Sequence, residues 1–151
     1  MKMNHISLEL VNEVISFLAN QVLAKDVKYD FVVGIGRGGL VPATMMAYQL
    51  GIPVLCYAIS TYNENDKQGE LVVHQQPDFS DASKAYNILV IDDICDTGDT
   101  FKYIKQLTKE SINIETHVAL FSKRASISTP DMIGLVADDN EWIVFPWEDN
   151  K

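Results

Sequence analysis

The segment Asn87-Ile-Leu-Val-Ile-Asp-Asp-Ile-Cys-Asp-Thr-Gly-Asp-Thr100 constrains the fold more than any other stretch of this chain. Residues 88–91 form an unbroken aliphatic run, rich in β-branched side chains and too short for a helix. Such a run predicts a strand buried on both faces, as in a parallel sheet. Two adjacent carboxylates, Asp92 and Asp93, stand at its end. Residues 96–100 read as a turn of small and hydroxylated residues that opens a helix over about 100–110. A helix N-terminus offers unpaired N–H groups and a positive dipole end, which suits a phosphate. In open α/β sheets, ligands lie beyond the carboxyl ends of the strands. The segment therefore predicts a phosphate on its turn and hydroxyls or a cation on its paired carboxylates. Between a buried strand and a Thr-Gly-x-Thr turn, this reading outweighs that of two merely solvated acids.

The remaining chain alternates between strand and helix patterns. Leu8, Val11, Ile15, Leu18 and Val22 recur three or four apart and predict an amphipathic packing helix over residues 7–25, with Ser7 as a cap. Phe31, Val32 and Val33 form a short strand, followed by Gly34-Ile-Gly-Arg-Gly-Gly39 and a helix over Leu40–Leu50. Gly34, Gly36 and Gly39 match GxGxxG, but the next strand, residues 54–60, carries no acidic residue to receive a ribose. The other reading is a glycine turn that brings backbone amides and the Arg37 guanidinium to an anion. Residues 61–69 are polar, and residues 70–74 alternate again. Two strands joined by a long polar loop make either a hairpin lid or an ordinary surface loop. Residues 75–85 form a loop, and residues 114–121 a strand that ends in Ser122-Lys123-Arg124. Another loop covers 125–131, a short strand 134–137, and the segment 141–147 holds both tryptophans. The pattern is that of one α/β domain over 1–151, with a mostly parallel central sheet flanked by helices.

Composition excludes several classes. No apolar run approaches ~20 residues, so no integral membrane segment is expected. The N-terminal residues lack an apolar core, so no secretory signal is expected. Cys56 and Cys95 form no CxxC pair, which points to reduced thiols in a cytoplasmic protein. His5, His74 and His117 lack metal-ligand spacing. The net charge is −9 with no basic cluster, which argues against nucleic acid as a partner. An acidic protein that takes a polyphosphate needs backbone amides, a few placed cations, or Mg²⁺.

Val90-Ile-Asp-Asp-Ile-Cys-Asp-Thr-Gly-Asp-Thr100 resembles the phosphoribosyl pyrophosphate (PRPP) signature of the type I phosphoribosyltransferases. The resemblance covers nearly the whole chain and is greatest toward the bacterial xanthine-guanine branch. Gly36-Arg-Gly-Gly-Leu-Val-Pro42 resembles their pyrophosphate loop, and Ser60-Thr-Tyr62 through Gln68-Gly-Glu-Leu71 their lid. Trp142-Ile143 with Pro146-Trp147 resembles their C-terminal hood. The resemblance implies the type I fold, with a flexible lid at about 60–74 and a short hood at about 137–151. It implies that Asp92 and Asp93 receive the ribose hydroxyls, with Asp93 also at the Mg²⁺. Amides and hydroxyls of Asp96, Thr97, Gly98, Asp99 and Thr100 clamp the 5′-phosphate, and Ile94 and Cys95 complete the PRPP contact. Arg37 and Gly38, behind a cis non-proline peptide, hold the leaving pyrophosphate. Asp96, the catalytic residue, assists proton movement at N7 of the purine. Lys123 donates to the 6-oxo group, Trp142 stacks on the base, and the Ile143 carbonyl accepts from a 2-amino group. No covalent nucleophile is implied, and none is required of Cys95, although a thiol near a helix N-terminus can be acidified.

The implied activity is transfer of phosphoribose from PRPP to N9 of guanine, xanthine or hypoxanthine. Alternatives are a PRPP- or nucleotide-binding regulator on the same fold, or another nucleobase acceptor. Members of this family are usually dimers or tetramers, and apolar residues near Met45 and Met46 offer such an interface. The chain departs from the pattern at Gly36, where a serine is common, and at Gly69, where an arginine is frequent and Lys67 is the nearby cation. It departs also at Asp99, a negative charge on the phosphate turn.

Overall fold

The computed structural model describes residues 1–61 and 69–148. A short strand, β1 (Lys2–His5), precedes helix α1 (Leu8–Ala24). The Ser7 hydroxyl caps α1 by accepting the Leu10 N–H at 3.0 Å. The apolar stripe of α1 is buried at Val11, Ile15, Leu18 and Val22, whereas Leu8 at its start is 58% exposed. Next come β2 (Phe31–Gly36), α2 (Leu40–Leu50), β3 (Val54–Thr61) and β4 (Leu71–Gln75). They are followed by β5 (Tyr86–Cys95), α3 (Asp99–Gln106), β6 (Ile112–Lys123), β7 (Met132–Ala137) and β8 (Glu141–Val144).

The main sheet has six strands in the order β4-β3-β2-β5-β6-β7. All its pairings are parallel except that of β3 with β4. From β2 the chain crosses through α2 to β3 on one side, and from β5 through α3 to β6 on the other. The crevice between the carboxyl ends of β2 and β5 is thus the topological switch point, where ligands of such sheets bind. The sheet is covered on both faces. Leu89, Ile91, Val118 and Leu120 pack with α1 and α2, whereas Ile88, Val90 and Ala119 pack with Phe101 and Ile104 of α3. Ile88 to Ile91 have no exposed surface, which accounts for the uninterrupted apolar run.

Several boundaries differ from the sequence expectation. β5 does not stop at Ile91 but continues through the acid pair to Cys95, because β6 goes on pairing with it as far as Ser122. α3 ends at Gln106, where the Leu107 N–H turns back to the Ile104 and Lys105 carbonyls. β1 was not expected at all; it pairs in parallel with β8 in a separate two-stranded sheet, Met3 opposite Trp142. Its pattern is too short and too polar to announce a strand. Met46 is fully buried and Met45 half-buried, so neither supplies the exposed apolar surface anticipated there. The helical period turns them inward with Ala43 and Ala47, and α2 exposes Val41 and Tyr48 instead. Among the described residues no helix is long and apolar enough to cross a membrane.

α1 reaches β7 at Gly134, where a Cβ would strike Val14 and come 2.6 Å from the Leu120 carbonyl oxygen. Gly134→Ala is therefore expected to cost about 1–3 kcal/mol by overpacking. Denaturant unfolding measures this, and a variant as stable as the parent would contradict the contact.

Candidate functional site

Four elements deliver side chains or backbone to the switch point. The turn after β2 contains a cis peptide between Gly36 and Arg37. It closes tightly into α2, with the Gly39 N–H donating to the Ile35 carbonyl (2.8 Å) and the Leu40 N–H to the Arg37 carbonyl (3.1 Å). Proximity favours glycine here, most strictly at Gly39. A Cβ on Gly38 would run into the Asp93 carboxylate, 2.8 Å from its Cγ. One on Gly39 would lie 2.7 Å from both the Ile35 and Ile91 carbonyl oxygens and 3.0 Å from the Asp92 Cα. The glycine turn and the acid pair are therefore in direct contact.

Asp93 is buried and Asp92 half-buried. Each accepts a main-chain N–H from the residue after it, Asp93 N to Asp92 Oδ1 at 2.8 Å and Ile94 N to Asp93 Oδ1 at 2.7 Å. Burial raises the pKa of both carboxyls, and the neighbouring Asp93 charge drives Asp92 well above the ordinary range. For Asp93, hydrogen bonding from the Asp92 side and from the Ile94 N–H offsets only part of the rise. Among the described residues neither forms a salt bridge.

This donor set suits a hard cation. Both candidates are carboxylates, and among the described residues no three His, Cys, Asp or Glu side chains gather at one point. Mg²⁺ is commonly held by one or two carboxylates, with substrate phosphates and water supplying the rest. The residues present fit that pattern.

A cleft of about 140 Å³ is lined by Arg37, Gly38, Ser60, Thr61, Asp92 and Thr100, among others. An adjoining hollow of about 520 Å³ extends along β3 to His74, whose Nε2 lies 2.7 Å from the Ser60 Oγ. The two strands of the expected lid, β3 and β4, form an antiparallel hairpin. The polar tip at 62–68, with Tyr62, Lys67 and Gln68, lies outside the described residues. A further hollow of about 480 Å³, lined by Val22, Tyr29, Leu50 and Ile52 among others, lies near the amino ends of β2 and β3, at the opposite end of the strands.

The turn from β5 into α3 is braced from behind. Gly98 has φ +88°, a conformation that disfavours side chains, and a Cβ there would also lie 2.8 Å from the Thr129 Oγ1. The Ser126 hydroxyl donates to the Asp96 carbonyl at 2.5 Å. Thr97 Oγ1 accepts the Asp99 N–H at 3.3 Å, and Gly98 brings no side chain to cap α3. Asp96, Thr97 and Asp99 are exposed, and Thr100 is half-buried. Cys95 is buried with its thiol directed at the Ser126 carbonyl (4.0 Å), and burial pushes its pKa up rather than down. Ile94 is half-buried beside it.

Lys123, the last residue of β6, is buried, and its Nζ donates to the main-chain carbonyls of Glu141 and of Asp138 (3.2 Å). It thus stands against the segment that carries Trp142. The Trp142 side chain is 56% exposed, whereas the Ile143 side chain belongs to the core. Sequence reasoning missed Ser126 and Thr129, since a serine and a threonine in a loop carry no signal of what they brace. It also gave Trp147 no role of its own.

The sequence matches the model of the phosphoribosyl transferase domain family over residues 3–149. It is 30% identical over 123 residues to the xanthine-guanine phosphoribosyltransferase of Idiomarina loihiensis, covering 80% of this chain and 72% of that one. A purine phosphoribosyltransferase structure from Pyrococcus horikoshii Ot3 superposes with a TM-score of 0.83 at 27% identity, over 100% of this chain and 97% of that one. A hypothetical protein from Neisseria gonorrhoeae with bound ppGpp superposes with a TM-score of 0.84 at 25% identity, over 99% and 91%.

Two stability measurements check this geometry. Gly38→Ala meets only the tip of a side chain and is expected to cost under about 1 kcal/mol, whereas Gly39→Ala meets main-chain carbonyls and is expected to cost about 1–3 kcal/mol. Equal unfolding midpoints for the two variants would contradict the placement. Asp93 has a folded pKa above its unfolded one, so its contribution to stability is greatest below the ordinary carboxylate range and is lost as pH rises through the folded value. Asp93→Asn is therefore expected to stabilise the metal-free protein at pH 7. The gain should shrink in thermal melts at progressively lower pH; a loss at pH 7 would refute the assignment.

Proposed function

The chain belongs to the phosphoribosyltransferase family, and from that premise we propose that it is a purine salvage enzyme that transfers phosphoribose from PRPP to N9 of a 6-oxopurine. What carries the reading is the contact of the glycine turn with the acid pair at the switch point, because it gathers sites for pyrophosphate, ribose and 5′-phosphate within one crevice. The relatives named for purine and xanthine-guanine substrates support the acceptor class.

In this reading the Arg37 guanidinium and the amides around Gly38 bind the pyrophosphate of PRPP. Asp92 and Asp93 accept the ribose 2′ and 3′ hydroxyls and fix the sugar. The uncapped start of α3 and the hydroxyls of Thr97 and Thr100 hold the 5′-phosphate. Lys123 donates to the purine 6-oxo group, Trp142 stacks on the ring, and the Ile143 carbonyl receives a 2-amino group. The bond between C1 of the ribose and the pyrophosphate oxygen breaks, its electrons leaving with the pyrophosphate, as N9 bonds to C1. Asp96 takes the proton released at N7. Neutralising the leaving pyrophosphate is the chemistry that Mg²⁺ supplies when bound, with Asp93 as the residue that holds it. The protein's share of catalysis is placement and a fixed electrostatic setting; no covalent intermediate is needed.

The relative with bound ppGpp favours a second reading, in which the crevice binds a nucleotide without turnover. Incubation with PRPP, Mg²⁺ and guanine decides between them. Pyrophosphate release is expected, with loss of activity in excess chelator, and no release with any 6-oxopurine would overturn the enzyme reading. Lys123→Ala is expected to lower kcat/KM for guanine by about 10- to 100-fold, the loss of one hydrogen bond from a charged donor. Unchanged guanine use would remove Lys123 from base recognition.

A further inference from the structure

His74 takes no part in the proposed reaction, and its place in the hairpin is irregular. The β3–β4 register steps from Ala58 opposite Gln75 to Ile59 opposite Val73, so His74 is left without a strand partner. That is a β-bulge in β4, the edge strand of the six-stranded sheet. Bulges re-aim side chains and are over-represented at sheet edges and beside active sites. Here the bulged residue reaches back across the hairpin, with His74 Nε2 2.7 Å from the Ser60 Oγ. On a solvated face such a cross-strand link would only hold the two strands together. Ser60 and His74, however, line the hollow of about 520 Å³ together with Gly36 and Arg37. Ser60 and Arg37 also line the neighbouring cleft with Gly38 and Asp92. Among the described residues that line either space, Arg37 is the one lysine or arginine. In a chain of net charge −9, an anion held there needs neutral donors beside that guanidinium.

A serine hydroxyl has one proton to give and two lone pairs, and its rotor turns to suit its neighbours. When the imidazole carries its hydrogen on Nε2, it donates to Ser60 Oγ, and the serine proton is left to point elsewhere. We propose that Ser60 is a pyrophosphate-binding residue and that His74 is its positioning residue. The Nε2–H of His74 holds Ser60 Oγ and turns the hydroxyl proton toward a pyrophosphate oxygen beside Arg37. The inference deepens the transferase reading and rests on it for the identity of the anion, but the anion site can be tested without turnover.

Inorganic pyrophosphate, titrated calorimetrically in the presence of Mg²⁺, is the probe. Ser60→Ala and His74→Ala are each expected to raise its Kd about tenfold, the loss of one hydrogen bond to a charged acceptor. Because His74 acts through Ser60, the double variant is expected to lose no more than either single one. Losses that add would put His74 on the anion itself and overturn its positioning role. Ser60→Thr keeps the hydroxyl, whereas Ser60→Val has the same shape without it and suits a strand equally well. The threonine variant is expected to bind pyrophosphate as the parent does and the valine variant to bind it weakly. Equal affinities would leave the hydroxyl no part in binding and overturn the proposal. Guanosine 5′-monophosphate carries base and 5′-phosphate but no pyrophosphate, so its Kd is expected to be unchanged in Ser60→Val. An equal loss there would mark a general disturbance of the crevice and also overturn the proposal. If His74→Ala does not fold, the Ser60 variants still decide. Pyrophosphate affinity unmoved by Ser60→Val, with turnover intact, leaves the transferase reading standing without this site. Affinity lost in that variant establishes the anion site even if no 6-oxopurine yields pyrophosphate.

Discussion

A stretch of backbone stripped of side chains lies against a pair of buried acids, and the rest of the site depends on that approach. Gly38 touches the Asp93 carboxylate, and Gly39 fits among the Ile35 and Ile91 carbonyls and the Asp92 Cα. The two turns come from strands that are neighbours in the sheet but distant in the chain, β2 and β5. Because α2 and α3 carry the chain away in opposite directions, a crevice opens at the carboxyl ends of β2 and β5. Arg37, Gly38 and Asp92 thus line one cleft of about 140 Å³.

The same approach has an electrostatic cost. Two adjacent carboxylates, one of them buried, lack a salt bridge among the described residues, and burial raises both pKa values, the Asp93 charge adding to the rise at Asp92 and the Glu148 charge to that at Asp93. A sheet selected for stability alone would place neutral side chains at the end of β5. Retaining an uncompensated pair makes sense where a ligand brings the missing positive charge and hydroxyl protons. The contacts behind the turn from β5 into α3, Ser126 on Asp96 and Thr129 beside Gly98, are small and uncharged.

Much of this was legible in the sequence, for identifiable reasons. The run Ile88–Ile91 advertised burial on both faces, because parallel strands leave no polar alternation. Leu40–Leu50 was bounded by its glycines on either side, and both ends fell where the punctuation placed them. The acid pair and the Thr-Gly-Asp-Thr turn lie close together in the chain, so a linear reading could join them. What was not legible depended on contacts across long separations. β1 is a strand only because β8 lies beside it, and Ser126 matters only because Asp96 arrives thirty positions away. Met45 and Met46 were read as surface because composition cannot show which way a helix is turned. Local pattern reports burial and turns, whereas pairing between remote segments leaves no trace in either partner.

The pairing of β1 with β8 reaches beyond the static arrangement. Asn4 donates to the Glu141 side chain at 2.6 Å across 137 positions, and Trp142 and Ile143 are presented from the strand so held. Closing so long a loop carries a large entropy penalty, and such contacts form late in folding. β1 therefore waits for β8, and the strand that carries Trp142 is expected to be seated only after the turns at the ends of β2 and β5. Opening can run in the reverse order: the two-stranded ribbon can part while the six-stranded sheet stays intact, so this segment can open locally without melting the domain.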